Sequence, residues 1–148
     1  TWFKPSSFLS ETGDLVRVES TGAAFPADIG WHPWFRKPDG LEFAPTAMYE
    51  RDDVGLPTGA IVEPTRGPWD DCFVDLARSP VVRWPGALEV TVASEAAFWV
   101  VFTEREEGVC VEPQTGPPNG LNAGEHAVVE PGRPLVATMS IAWSAPGS

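Results

Sequence analysis

The stretch Ala97-Phe98-Trp99-Val100-Val101-Phe102-Thr103 decides the fold, because it is an unbroken run of large apolar side chains. Successive side chains of a β-strand point to opposite faces of the sheet, so a strand of this composition is apolar on both faces. Such a strand is typical of the centre of a buried sheet. We therefore predict that residues 97–103 form a central strand of a β-sandwich.

Alternation with a period of two residues indicates further strands on both sides of this run. Residues 88–93 alternate between aliphatic side chains and smaller or polar ones, which predicts one buried and one solvated face. The same alternation recurs over residues 135–143, and shorter strands are predicted at 15–19 and 108–112. Glycine and proline interrupt the chain too often for sustained helical periodicity. We predict an all-β fold, an antiparallel β-sandwich, with residues 1–148 forming a single domain.

Two long connections lack a strand pattern, at residues 50–68 and 112–124. We expect irregular loops there, and a loop of this length inside a compact domain is often functional or forms a lid. The strand at 108–112 is expected to end at Glu112, because Pro113 follows it and proline cannot donate a hydrogen bond to a sheet.

Composition and charge restrict the classes of function. The chain has 148 residues, of which 43% are hydrophobic and 11% aromatic, and this fits one globular domain rather than a disordered chain. A formal net charge of −11 argues against nucleic acid or an anionic membrane as a partner, and it suits a neutral ligand. No apolar run reaches the roughly 20 residues that span a bilayer.

The two cysteines, Cys72 and Cys110, allow two interpretations. In a small secreted domain they would pair, whereas in a reducing cytoplasm they would be buried free thiols. We favour free thiols and a cytoplasmic location. Neither cysteine stands in metal-binding spacing, and the two histidines, His32 and His126, are isolated in the sequence, so we predict no metal site.

The segment Gly30-Trp31-His32-Pro33-Trp34-Phe35-Arg36 combines one imidazole with three large aromatic rings. An imidazole can exchange a proton near neutral pH, and tryptophan rings can stack on the apolar face of a sugar. His32 is therefore a candidate acid, and Trp34 is a candidate wall of a sugar site. The alternative is a histidine whose hydrogen bonds are satisfied inside an aromatic core, and this segment alone favours that alternative.

Three carboxylates offer further chemistry. Glu112 follows three apolar residues of a predicted strand, where partial burial would raise its pKa and make it a better general base. The alternative is a surface glutamate at the end of a strand. Asp70 and Asp71 lie at a loop-to-strand junction, where they could bind sugar hydroxyls, ligate a hard cation or cap a turn.

Three segments, in this order along the chain, resemble the galactose mutarotase (aldose 1-epimerase) family. They are Gly30-Trp31-His32-Pro33-Trp34-Phe35, Trp69-Asp70-Asp71-Cys72-Phe73, and Val111-Glu112-Pro113-Gln114-Thr115 with Pro117-Pro118-Asn119. The resemblance extends from about residue 15 to residue 143. It implies a galactose mutarotase-like supersandwich. Because family members are considerably longer and this sequence begins at Thr1, we expect a fragment or a processed chain that holds the C-terminal part of the fold.

The resemblance also implies roles for individual residues. His32 corresponds to the family's general acid and Glu112 to its general base. Asp70 corresponds to an aspartate that binds sugar hydroxyls, with Asp71 as the alternative, and Gln114 is a supporting binder. Basic and polar side chains that the family uses from its N-terminal half have no counterpart in this sequence.

The implied reaction interconverts the α and β anomers of an aldohexose by acid–base ring opening, without a cofactor. We therefore expect an isomerase whose partner is a small sugar, and a phosphorylated sugar would need arginines, for which Arg36, Arg51 and Arg66 are available. Catalysis would require His32 and Glu112 to converge on one pocket with the width of a sugar ring between them. The alternatives are a non-catalytic carbohydrate-binding sandwich and an inactive fragment that associates with an N-terminal portion or a second chain.

Overall fold

The computed structural model describes residues 10–145, which form thirteen β-strands and one short helix. The helix, α1, spans Gly120–Ala123. The strands, in chain order from β1 to β13, are Ser10–Val18, Phe25–Ala27, Trp34–Arg36, Gly40–Glu42, Pro45–Arg51, Pro57–Val62, Asp70–Leu76, Val81–Trp84, Leu88–Ser94, Phe98–Phe102, Gly108–Gln114, Ala127–Val129 and Leu135–Ser144.

The strands form two main antiparallel sheets and a small third one. The first main sheet has five strands in the order β1-β13-β9-β8-β4, and the second has six strands in the order β3-β11-β10-β7-β5-β6. Strands β2 and β12 pair as a separate two-stranded sheet. Every pairing between named strands is antiparallel, which confirms the predicted all-β class.

The apolar run at residues 97–103 forms the interior strand β10, as predicted. It pairs with β11 on one side and with β7 on the other. Trp99 and Val101 are 4% and 0% exposed, whereas Phe98, Val100 and Phe102 on the opposite face are half-buried. The second face is thus partly open, and it carries the candidate site described below.

The core lies between the two main sheets, so the molecule is the predicted β-sandwich. Val82, Val90 and Val92 from the five-stranded sheet pack in one buried cluster with Trp99 and Val111 from the six-stranded sheet. The alternation at residues 135–143 is confirmed by β13, whose Met139, Ile141 and Trp143 pack against this cluster.

Residues 50–68 are not an irregular loop, because β6 pairs with β5 as a hairpin at the edge of the six-stranded sheet. In the connecting turn, Asp52 Oδ1 accepts hydrogen bonds from the backbone N–H groups of Val54 and Leu56. Gly55 and Gly59 have φ angles of 86° and 89°. Gly55 therefore allows a tight turn, and Gly59 allows a distorted edge strand. In the sequence, the same glycines made this stretch resemble a loop.

The prediction that β11 ends at Glu112 is also wrong, because the strand continues through Pro113 to Gln114. The carbonyl of Pro113 accepts a hydrogen bond from the N–H of Trp31, so the missing N–H of Pro113 faces the same side. That side borders a short irregular segment rather than β10, and the central ladder therefore loses no hydrogen bond to the proline.

The described residues settle one further expectation from the sequence. Cys72 and Cys110 are both buried and unpaired, which confirms the preference for free thiols. Within residues 10–145, no helix has the length and apolar character needed to cross a membrane.

Candidate active site

Strand β11 brings three polar side chains to one face of the six-stranded sheet. Cys110, Glu112 and Gln114 occupy alternate positions of the strand, and alternate residues of a strand share a face. Glu112 is directly opposite Val100 of β10, on the half-buried face of that strand. The site therefore lies on the open side of the sheet, away from the core between the two sheets.

A short segment before β3 holds the candidate acid next to this face. The N–H of Trp31 donates to the carbonyl of Pro113 at 3.1 Å, and the N–H of Thr115 donates to the carbonyl of Ile29 at 2.8 Å. Between them, Gly30 lies opposite Gln114, where a Cβ on Gly30 would approach Gln114 Cγ to 3.1 Å. These bonds extend the sheet irregularly beyond β3, and they place the next residue, His32, beside Glu112.

His32 and Glu112 are in direct contact. The imidazole Nε2 lies 2.9 Å from the carboxylate Oε1, and the side chains are 62% and 7% exposed, respectively. The amide Nε2 of Gln114 donates to the other oxygen, Oε2, at 3.3 Å. The two candidate catalytic groups thus converge on one surface as expected, but the gap of a sugar ring between them is not present.

Burial raises the pKa of the Glu112 carboxyl, and the negative charge of Asp70 acts in the same direction. The imidazole of His32 opposes this shift most strongly, followed by the hydrogen bonds from Cys110 and Gln114. Because burial dominates, the carboxylate binds a proton more readily than an exposed glutamate does. This is the direction that suits a general base.

The two adjacent aspartates at the start of β7 differ in exposure. The side chain of Asp70 is 52% exposed, whereas that of Asp71 is 7% exposed. Arg51 of β5 contacts both, with its Nε 2.9 Å from Asp71 Oδ1 and its Nη1 3.6 Å from Asp70 Oδ2. Asp71 is therefore the buried partner of an arginine, and Asp70 is the more accessible carboxylate of the two.

A cavity of about 410 Å³ joins the carboxylates on this face. It is within the size range of small-ligand sites, about 300–1,000 Å³. Polar side chains from three strands line it, namely Tyr49, Arg51, Asp70, Asp71, Glu112 and Gln114. His32 and Trp34 do not line this cavity, so the pair of His32 and Glu112 stands at its edge.

Trp34 lies on the same sheet face as Glu112, one strand further out. It pairs with Cys110 across β3 and β11, and it remains 49% exposed. Its ring makes edge-to-face contacts with His32 and Phe102, each with a centroid distance of 5.8 Å. An exposed indole beside a polar cluster is the arrangement expected for stacking on a sugar.

Two contacts of this surface were not predicted from the sequence. The hydroxyl of Tyr49, a buried residue, donates to Glu125 Oε2 at 2.5 Å and connects the loop after β11 to β5. Cys110 donates from its thiol to Glu112, and burial together with this carboxylate raises the pKa of the thiol to about 12. Only the spacing of two residues between Cys110 and Glu112 could have indicated the second contact, because it places both side chains on one face.

Comparison with solved structures identifies this architecture. The chain is similar to a candidate aldose 1-epimerase from Escherichia coli K12, with a TM-score of 0.75 and 16% identity. It is also similar to a galactose mutarotase-like protein from Clostridium acetobutylicum, with a TM-score of 0.73 and 16% identity. The chain has the galactose mutarotase-like fold. A protein from Synechocystis sp. PCC 6803 has the same architecture, with a TM-score of 0.71 and 24% identity.

These matches cover 92% of this chain, but they cover 57%, 52% and 51% of the E. coli, Clostridium and Synechocystis chains, respectively. This chain thus spans a little more than half of the length of the structures that it matches. No protein-family model matches the sequence, and no curated protein matches it either. The galactose mutarotase-like fold, predicted from three short segments, is therefore confirmed by three-dimensional similarity at low sequence identity.

Proposed function

We propose that this chain is an aldose 1-epimerase-like isomerase that interconverts the α and β anomers of an aldohexose. The observation that carries the proposal is the contact of 2.9 Å between His32 Nε2 and Glu112 Oε1 at the edge of a polar cavity. An imidazole and a carboxylate in this position can exchange protons with two neighbouring oxygens of one substrate. The solved structures of similar fold, two of which are described as epimerase or mutarotase-like proteins, support the same chemistry.

The proposed reaction needs one base and one acid. The Glu112 carboxylate removes the proton from the C1 hydroxyl, while the His32 imidazolium protonates the ring oxygen O5. The C1–O5 bond breaks, and the C1 carbonyl of the open-chain aldehyde forms. After rotation about the C1–C2 bond, the two residues exchange roles, and the ring closes on the opposite face of the carbonyl. No electrons are gained or lost.

The direct contact of the two groups sets a condition on this reaction. Each group must reach within about 2.6–3.2 Å of its own sugar oxygen, so the sugar has to replace the hydrogen bond between them. The His32 side chain is 62% exposed and lies outside the regular strands, whereas Glu112 is buried in β11. We infer that the imidazole moves outward on sugar binding while the carboxylate stays in place.

The surroundings favour a neutral sugar. Asp70 and Gln114 line the cavity with groups that hydrogen-bond hydroxyls, and Trp34 offers an exposed aromatic face. Arg51 is the arginine that lines this cavity, and its charge is already paired with Asp70 and Asp71. A phosphate would compete with two carboxylates for it, so we propose an unphosphorylated aldohexose.

A second candidate function is sugar binding without turnover. The missing gap between His32 and Glu112 favours it, because a pair that never opens would serve only as a polar contact. The exposed Trp34 supports sugar binding under either function. The chain spans little more than half of the length of the matched structures. This is also consistent with a portion of the fold that is inactive without another chain.

Polarimetry separates these functions. Freshly dissolved α-D-glucose and α-D-galactose are mixed with the protein, and the approach to the equilibrium rotation is compared with that in buffer alone. The proposal predicts faster mutarotation of at least one sugar with the parent chain. Binding of a sugar without any acceleration would instead support the non-catalytic sandwich.

A further inference from the structure

Folding brings together three metal-binding side chains that are scattered in the sequence. One ligand atom each from His32, Cys110 and Glu112 lies within 4.8 Å of the other two. Cys110 and Glu112 come from alternate positions of β11, and His32 comes from the segment that runs beside this strand. The sequence argued against a metal site because of the separation of these residues, and the fold removes that separation.

We propose that His32, Cys110 and Glu112 form a binding site for Zn²⁺, with water as the fourth ligand. A sulfur, an imidazole nitrogen and a carboxylate oxygen are the donors that Zn²⁺ accepts in a tetrahedral site. The thiol argues against Mg²⁺ and Ca²⁺, which prefer oxygen ligands. Three protein ligands with one open position correspond to the coordination of accessible zinc sites rather than of closed structural ones.

The burial of two of the three residues supports a site that is largely preformed. Cys110 is 0% exposed and Glu112 is 5% exposed, so β11 fixes both of these side chains. His32 is exposed and can close the site last. Gln114 donates to the second carboxylate oxygen of Glu112, and such an outer-shell hydrogen bond orients a ligating carboxylate.

The local charge also favours a cation. Asp70 and Glu112 line the same cavity, so two carboxylates lie in one region. The chain as a whole carries a formal charge of −11. A bound cation would relieve the repulsion between Glu112 and Asp70, whereas Arg51 reaches Asp70 but is held mainly by Asp71.

Binding requires the deprotonated form of each ligand, including a neutral His32 imidazole, and one broken hydrogen bond. The thiol of Cys110 must lose its proton to the buffer, because the thiolate is the metal ligand. Zn²⁺ would also replace the hydrogen bond between His32 and Glu112. Both groups would then be unable to exchange protons with a sugar, so Zn²⁺ would inhibit the isomerase; this consequence rests on the proposed function, but the binding does not.

Cobalt substitution tests the binding site directly. The chain is dialysed against a chelator and titrated with Co²⁺, and the thiolate-to-cobalt charge-transfer absorption is recorded in the near ultraviolet. Zn²⁺ is then added to displace the Co²⁺ and to give its affinity. The proposal predicts one Co²⁺ per chain and an absorption band that Zn²⁺ removes. The absence of both the band and Zn²⁺ binding would overturn it.

The chain offers a matched control for two of the three ligands, Cys110 and His32. Cys110→Ala should abolish the band and Cys72→Ala should keep it, because Cys72 is the second buried thiol. His32→Asn should weaken Zn²⁺ binding by at least roughly tenfold, the loss that even an outer-shell partner can cause, whereas His126→Asn should not. If Cys110→Ala does not fold, Cys110→Ser replaces it with nearly unchanged volume. A band that survives either substitution of Cys110, or that disappears in Cys72→Ala, would overturn the site.

The effect on catalysis is measured separately. Zn²⁺ bound at this site without any loss of mutarotation would support the metal site and contradict the roles of His32 and Glu112. Mutarotation in a chain that binds no Zn²⁺ would support those roles and overturn the metal site. The two proposals therefore fail through different results.

Discussion

Nε2 of His32 and Oε1 of Glu112 lie 2.9 Å apart, although the two residues are far apart in the sequence. The contact joins an exposed imidazole on an irregular segment to a buried carboxylate on an inner strand of the six-stranded sheet. Backbone hydrogen bonds from Trp31 to Pro113 and from Thr115 to Ile29 fix this neighbourhood. The geometry of the pair is therefore set by the main chain, and substitutions of either side chain should leave the sheet intact.

The stability of the chain should depend on Glu112 in a manner that changes with pH. Because its pKa is raised in the folded state, the folded chain binds the proton more tightly than the unfolded chain does. Glu112 therefore stabilises the fold below the unfolded pKa of about 4.3, and this stabilisation is lost as the pH rises through the raised folded pKa. The stability of Glu112→Gln relative to that of the parent chain should thus be higher at neutral pH than at about pH 4.

Melting temperatures of the two chains at both pH values check this prediction. Glu130→Gln is the control, because Glu130 is a glutamate that forms a surface pair with Arg133 rather than a contact of the candidate site. A difference in melting temperature between Glu112→Gln and the parent chain that does not change with pH would contradict the prediction.

The rate of mutarotation should have a bell-shaped dependence on pH. The base must be ionised, so activity should fall on the acidic side as Glu112 takes up a proton, at a pH above the value of about 4.3 for an ordinary glutamate. On the alkaline side, activity should fall because the reaction also needs a protonated general acid. Initial rates in buffers that contain a chelator give the profile. A rate that stays flat from about pH 5 to about pH 8 would argue against this acid–base pair.

Arg51 should be more important for stability than an exposed arginine. Its Nε lies 2.9 Å from Asp71 Oδ1, and the Asp71 side chain is 7% exposed. Arg51→Ala would leave this buried carboxylate without its charged partner and should lower the free energy of unfolding by about 1–3 kcal/mol. Arg105 pairs with Glu107 where both side chains are 62% and 71% exposed, and Arg105→Ala should cost about 1 kcal/mol or less.

Urea unfolding curves of the two variants and the parent chain measure these free energies. Adding Asp71→Asn to Arg51→Ala should recover part of the loss, because the unpaired buried charge is removed. Equal destabilisation by Arg51→Ala and Arg105→Ala would contradict the assigned role of Arg51.

The sequence predicted those strands whose apolar residues follow a clear local pattern. The run at 97–103 predicted a strand that is apolar on both faces, and the alternation at 135–143 predicted a strand with one buried face. Both segments form strands. The β5–β6 hairpin was missed because its glycines and Pro57 hide a distorted edge strand within a loop-like composition. The continuation of β11 through Pro113 was missed because only the neighbouring segment shows that the proline N–H is not needed.

The site was predictable only in part, for a related reason. His32, Glu112 and Asp70 were candidates from their local sequence, and the resemblance in three segments added Gln114. The structure brings all four to one face of the sheet. Their contacts depend on strand register, which composition does not record. For the same reason, neither the pairing of Arg51 with two aspartates nor the position of Cys110 beside Glu112 and His32 could be read from the sequence.

The central claim is that Glu112 and His32 catalyse exchange between sugar anomers, and magnetisation exchange measures this at equilibrium. Two-dimensional exchange NMR spectra of equilibrated glucose or galactose are recorded with the parent chain and with Glu112→Gln, while saturation-transfer spectra report sugar binding to each. We predict exchange cross-peaks between the α and β H1 signals with the parent chain, and binding without cross-peaks with Glu112→Gln. Cross-peaks of equal strength with both chains, or binding by the parent chain without any cross-peak, would contradict the claim.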